Sequence, residues 1–188
     1  IMDCQPVDWY IHYKTIDRKG WKMIDVTAVL GGEKELGLKV SRRMDFDALI
    51  KKGMPWGVVS HIKKAFNLPD EVLAGIIGIS PRTMARRRQT VKAPAKSASA
   101  VSGKPRKGSP GVIAAEMLSP VESDRIYRFA RVVALAEDVF EDGVDALEWL
   151  KSPQHGLGGC IPFDMLQTDA GSREVEELLN RIDYGVIS

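Results

Sequence analysis

Five side chains between positions 82 and 88 can do chemistry on a polyanion: Arg82, Thr83, Arg86, Arg87 and Arg88. Guanidinium groups grip phosphate oxygens and the O6/N7 edge of guanine, and one such bidentate contact is worth about 1–3 kcal/mol of base discrimination. Just ahead, Ser80 can cap a helix and Pro81 suits its first position. On that helix Arg82 and Thr83 stand in the first turn, placed to touch base edges. Arg86, Arg87 and Arg88 follow a turn later and are expected against phosphates.

The elements needed to present those residues are legible upstream. Gly78-Ile79-Ser80 lies between two short helices, with Ala74 four residues before the glycine and Met84 six after it. This is helix-turn-helix spacing. A small residue at Ala74 lets the helices approach, Gly78 permits the turn and Ile79 plugs the junction. The second helix, Pro81–Gln89, is then the one that enters the major groove. One position departs from the pattern: an apolar residue is usual three beyond Met84, and Arg87 stands there.

No comparable set exists for catalysis. His12, His61 and His155 have no ligand spacing with one another or with Cys4 and Cys160. Gly156-Leu157-Gly158-Gly159 is neither GxGxxG nor GK[ST] and reads as a turn. The adjacent acids Glu141-Asp142 and Glu176-Glu177 do not face one pocket. The expectation is a protein that is not an enzyme, with no catalytic residues, no metal and no cofactor.

Charge divides the chain. From Arg82 to Ala115 there are nine Lys or Arg residues and no acid. Residues 1–115 carry +11 and residues 116–188 carry −9, which leaves a net charge of only +2. The front suits nucleic acid, because neutralised phosphates release condensed counterions. The rear is repelled by it and suits a protein partner or a basic cleft. Two distant cysteines imply a reducing compartment. No apolar run approaches the roughly 20 residues of a membrane helix. A cytoplasmic protein with no membrane contact is expected.

The remaining pattern is helical, so the fold class expected is all-α: a helix-turn-helix domain plus a small helical C-terminal domain. Asp45 caps a helix over Phe46–Lys52 and Gly53 ends it. Pro55 opens a second, whose apolar stripe is Trp56, Val59, Ile62, Ala65 and Phe66. A third runs from Leu68-Pro69-Asp70-Glu71 through Ile77. Ser119 and Glu122 have capping-box spacing, and the helix behind them carries the stripe Ile126, Phe129, Ala130, Val133, Ala136 and Phe140. Further helices are expected near Val144–Lys151 and after Thr168, the latter closed by Gly185. Between the halves, residues 92–111 are rich in Ala, Ser, Gly, Pro and Lys and cannot bury enough surface to offset their ordering entropy. The organisation expected is an N-terminal extension (1–30), the helix-turn-helix domain (31–91), a flexible basic linker (92–118) and the C-terminal domain (119–188).

Several ordered motifs resemble the Xre/MbcA/ParS antitoxins. They include Ser119–Arg125 with Arg128, Ala130, Arg131 and Val132, then Trp149-Leu150, Pro153, Leu157-Gly158-Gly159 and Pro162. The tail follows suit with Thr168, Gly171, Val175-Glu176, Leu178-Leu179, Arg181-Ile182, Gly185-Val186 and Ser188. Upstream, Gly37-Leu38, Gly53 with Pro55, and Ile79–Thr83 with Arg86-Arg87 fit the same pattern. The resemblance spans roughly residues 30–188. It implies an antitoxin of a type II toxin–antitoxin pair whose partner is a RES-domain toxin that degrades NAD. It also implies a homodimer that binds its own operator DNA and represses its operon with the toxin. The chain departs from the family in the length of the join, Gln89–Leu118.

On that reading the C-terminal helix and tail plug the toxin cleft, which must be basic to hold a dinucleotide pyrophosphate. Asp169, Glu174, Glu176, Glu177, Asp183 and the carboxylate of Ser188 supply complementary charge. Tyr184, Val186 and Ile187 supply an apolar anchor, Gly185 shapes the turn and Arg181 clamps a toxin carboxylate. Ser123, Asp124, Arg125 and Arg128 form either an interface patch or a simple intrahelical ion pair. The rivals to the whole reading are a stand-alone helix-turn-helix regulator with no toxin partner and a pure protein-interaction module with a degenerate helix-turn-helix.

Overall fold

A computed structural model describes residues 26–40, 43–92 and 117–185. Most of the expected linker, most of the N-terminal extension and the end of the tail, Val186–Ser188, lie outside the described residues. The fold is all-α. Among the described residues there is no strand, only isolated bridges at Pro55–Met117 and Gln154–Cys160.

The front half contains α1 (Val26–Val29), α2 (Gly32–Leu36), α3 (Arg43–Lys52), α4 (Gly57–Ala65), α5 (Asp70–Ile77) and α6 (Pro81–Lys92). The rear half contains α7 (Pro120–Phe140), α8 (Gly143–Lys151), a 3-10 turn (His155–Leu157), α9 (Pro162–Met165) and α10 (Asp169–Asp183). The 21-residue helix α7 is the spine, packing against α1, α3, α5, α8 and α10. Its start is set by local chemistry. Ser119 accepts from the Glu122 N–H while the Glu122 carboxylate accepts from the Ser119 N–H, with Pro120 at the first position. Of its apolar stripe, Ile126, Phe129, Ala130, Val133 and Ala136 are fully buried, while Phe140 is partly buried and packs against Trp149 at 5.6 Å.

One hydrophobic cluster runs through both halves. Phe129 joins them, with its ring edge-on to Phe66 at 6.0 Å and stacked with Phe163 at 5.7 Å. The boundary expected at residue 30 falls inside this core, since Val29 and Leu30 are completely buried. Two helix starts also differ from expectation. Helix α3 begins at Arg43, so Asp45 sits in its first turn, where its charge complements the dipole rather than capping. Helix α4 begins at Gly57, not Pro55, because Met54 and Pro55 are held extended. The Leu118 N–H donates to Met54 O at 2.7 Å, and Pro55 bridges to Met117. The chain that leaves α6 therefore returns to the front half before entering α7. A Cβ on Gly53 (φ 96) would lie 2.3 Å from Leu118 O, so this approach requires glycine.

Candidate functional site

The helix-turn-helix forms as its spacing implies. Ala74 is buried under the turn, Gly78 adopts φ 77, and its N–H donates to Ala74 O at 2.8 Å. The Ile79 N–H shares that acceptor, and the Ile79 side chain packs on the core. Ser80 then caps α6, its Oγ accepting from the Thr83 N–H at 3.2 Å and pairing with the Thr83 hydroxyl at 2.9 Å. Met84 anchors the inner face of the helix.

The cationic residues of α6 divide between two faces. Arg82, Thr83, Ala85, Arg86 and Gln89 line an open groove of about 320 Å³ on the outer face. Arg88 stands at the edge, half-exposed, and pairs with Asp70 at 2.9 Å. Lys63 also pairs with Asp70, and its hydrogen bond leads the causes that hold that carboxyl below its usual range. Arg87, expected against a phosphate, turns inward. It donates to Glu122 at 2.9 Å and lies over the Trp56 ring at 5.5 Å. Physical reasons for this placement are plain: Arg87 is three residues beyond buried Met84 on the same helix face, and it meets there the Glu122 carboxylate, which already accepts from the Ser119 N–H.

The patch on α7 is likewise intramolecular in part. Ser123 is completely buried and its Oγ accepts from the Met54 N–H at 2.8 Å. Arg125 donates to Ile77 O at 3.0 Å. Arg128 pairs with Asp124 at 3.1 Å, as its spacing suggested, and also with Asp169 at 3.2 Å.

At the rear, α10 starts on Thr168, whose Oγ1 accepts from the Gly171 N–H at 3.0 Å. Its inner face buries Val175 and Leu179, with Leu178 packed alongside. Arg131 on α7 holds Glu176 through two donors, at 2.6 and 2.9 Å, which removes Glu176 from the set of outward acids. Glu174, Glu177 and Asp183 remain exposed. Arg181 is half-buried, and its Nε has no hydrogen-bond partner among the described residues. Tyr184 projects with 79% of its surface exposed, and Gly185 (φ 68) donates to Ile182 O at 3.0 Å. Val186, Ile187 and Ser188, named for the same surface, lie outside the described residues. No cluster of three potential metal ligands occurs among the described residues. None of their helices is long and apolar enough to cross a membrane.

Fold and surface together define a helix-turn-helix protein fused through a shared core to an acidic helical unit. Residues 45–100 match the antitoxin Xre-like helix-turn-helix domain, and residues 135–185 match the antitoxin Xre/MbcA/ParS C-terminal toxin-binding domain. An "Antitoxin Xre" of Yersinia enterocolitica is 31% identical over 156 residues, covering 82% of this chain and 89% of the relative. Its counterpart in Photorhabdus laumondii is 31% identical over 154 residues, covering 81% and 88%. A "Prs ADP-ribosylating antitoxin" of Sphingobium is 38% identical over 80 residues, covering 38% of this chain and 50% of the relative. The chain belongs to the Xre/MbcA/ParS family of antitoxins, with both of the family's domains present.

Proposed function

We propose that this antitoxin neutralises a RES-domain toxin that consumes NAD, and that as a dimer it binds operator DNA to repress its own operon. The observation that carries the reading is the pairing of an outward cationic helix with a toxin-binding domain of opposite charge. Arg82 and Arg86 reach from α6 toward the major groove, Ser80 and Thr83 sit at the helix start, and Arg88 lies at the phosphate edge. Arg87 takes no part in that contact and supports the helix from behind. The name of the Sphingobium relative joins an antitoxin to ADP-ribosylation, chemistry for which NAD is the usual donor. That accords with a dinucleotide-cleaving partner.

Toward the toxin, Tyr184 is the anchor. An exposed aromatic at the end of a helix that also exposes Glu177 and Asp183 fits the hot-spot pattern of a desolvated apolar plug with charged surroundings. Arg181, half-buried near the same helix end, clamps a toxin carboxylate through its guanidinium. Gly185, Val186, Ile187 and Ser188 extend the plug. Deleting residues 184–188 tests this: inhibition of the toxin's NAD consumption drops while operator binding persists. Full inhibition by the truncated chain refutes the plug.

A further inference from the structure

The reading helix is braced by residues that belong to the other half of the molecule. At the turn, Arg125 of α7 donates to Ile77 O, the last carbonyl of α5, at 3.0 Å. Helix-terminal carbonyls lack intrahelical partners, and a cation there also complements the dipole. The guanidinium fills the space a side chain would occupy at Gly78, where a Cβ would lie 1.3 Å from Arg125 Nη1. A turn and a half later on α6, Arg87 meets Glu122, also from α7, at 2.9 Å. The same Glu122 oxygen accepts from the Ser119 N–H at 2.8 Å, and Trp56 walls the other side of Arg87. The two ties grip α6 at its preceding turn and on its inner face, and leave Arg82 and Arg86 exposed on the outside.

We propose that Arg125, together with the Arg87–Glu122 pair, positions α6 for base reading, so that the start of α7 is part of the DNA-recognition machinery. An Arg87 at the place of the usual apolar plug cannot seat α6 by hydrophobic burial. It needs an acid, and α7 brings one. A binding constellation works only when held within about 0.5 Å of its productive geometry. Loss of the brace therefore degrades base discrimination before it degrades attraction to phosphate, which depends on charge alone. Arg125 and Arg87 are positioning residues and touch no base.

This rests on the DNA reading of α6. The test uses the full chain and its own promoter duplex beside a scrambled duplex of equal length, with thermal unfolding as the folding control. R125A and R125M each lower the ratio of operator to scrambled affinity about tenfold, equal to about 1.4 kcal/mol, with scrambled binding little changed. R82A lowers the ratio in the unaltered chain but adds little on top of R125M, because the displaced helix no longer presents Arg82. Should R125A fail to fold, R125M, which keeps the side-chain stem, decides. An unchanged ratio in R125M, or an equal loss on both duplexes, overturns the proposal while an effect of R82A leaves the DNA reading standing. If R82A too leaves the ratio unchanged, the DNA reading falls and the brace falls with it.

Discussion

The start and the middle of α7 use polar groups in opposite ways. Its first turns turn them inward. Ser123 is completely buried, the Glu122 side chain is 11% exposed, and each is satisfied by a partner from the front half. Its middle turns direct them along the surface, where Arg131 (42% exposed) pairs with Glu176 (22%) on α10. Removing one partner of a buried, hydrogen-bonded charge leaves the other desolvated and unpaired, whereas a solvated pair loses little. The join between reading unit and toxin-binding unit is therefore the demanding one. The join within the toxin-binding unit is carried mainly by apolar packing of Val175 and Leu179.

The largest effect abolishes the contrast. Phe129 is completely buried and touches rings on both sides, so Phe129→Ala costs about 3–5 kcal/mol and lowers the urea midpoint for the whole molecule in a single transition. Two separate transitions in the unaltered chain would show that the halves do not share a core. Next in size, Glu122→Ala strips Arg87 of its acid and the Ser119 N–H of its acceptor, costing about 2–3 kcal/mol by urea unfolding. Acid sharpens the same point. Burial pushes the Glu122 carboxyl up, but Arg87 and Ser119 more than offset this, leaving it below the ordinary 4.5. Its contribution is complete above that value and fades as pH falls through the lowered one. The stability gap between the unaltered chain and E122Q thus holds from neutral pH down to about 5 and narrows below it. A gap that widens on acidification would assign the effect to another group. The smallest change is Arg131→Ala, under about 1 kcal/mol and shrinking further in high salt. A loss as large as that of Glu122→Ala would erase the distinction between the start and the middle of α7.

What could be read directly from the sequence was local physics. The capping box at Ser119–Glu122, the cap at Thr168, the left-handed Gly78 and the apolar stripe of α7 each depend on residues within a turn or two. The family resemblance likewise matches the domains that the chain carries. The partners of Arg87 and Arg125 lie 35 and 48 residues away and exist only once α7 docks. One signal for the first was present: an arginine where a helix-turn-helix wants an apolar residue asks for a buried acid, and Glu122 is a capping residue with acceptor capacity to spare. No local pattern marks Arg125. The inclusion of Val29 and Leu30 in the core was also hidden, because a four-residue helix has too short a period to reveal its buried face.

The proposed function requires that this chain silence an NAD-consuming toxin. Titrating the full chain into the purified product of the adjacent gene, with NAD followed over time, tests it most directly. NAD consumption is expected to stop as the antitoxin approaches stoichiometric amounts. Consumption that continues undiminished in excess antitoxin, or a neighbour that never consumes NAD, contradicts it.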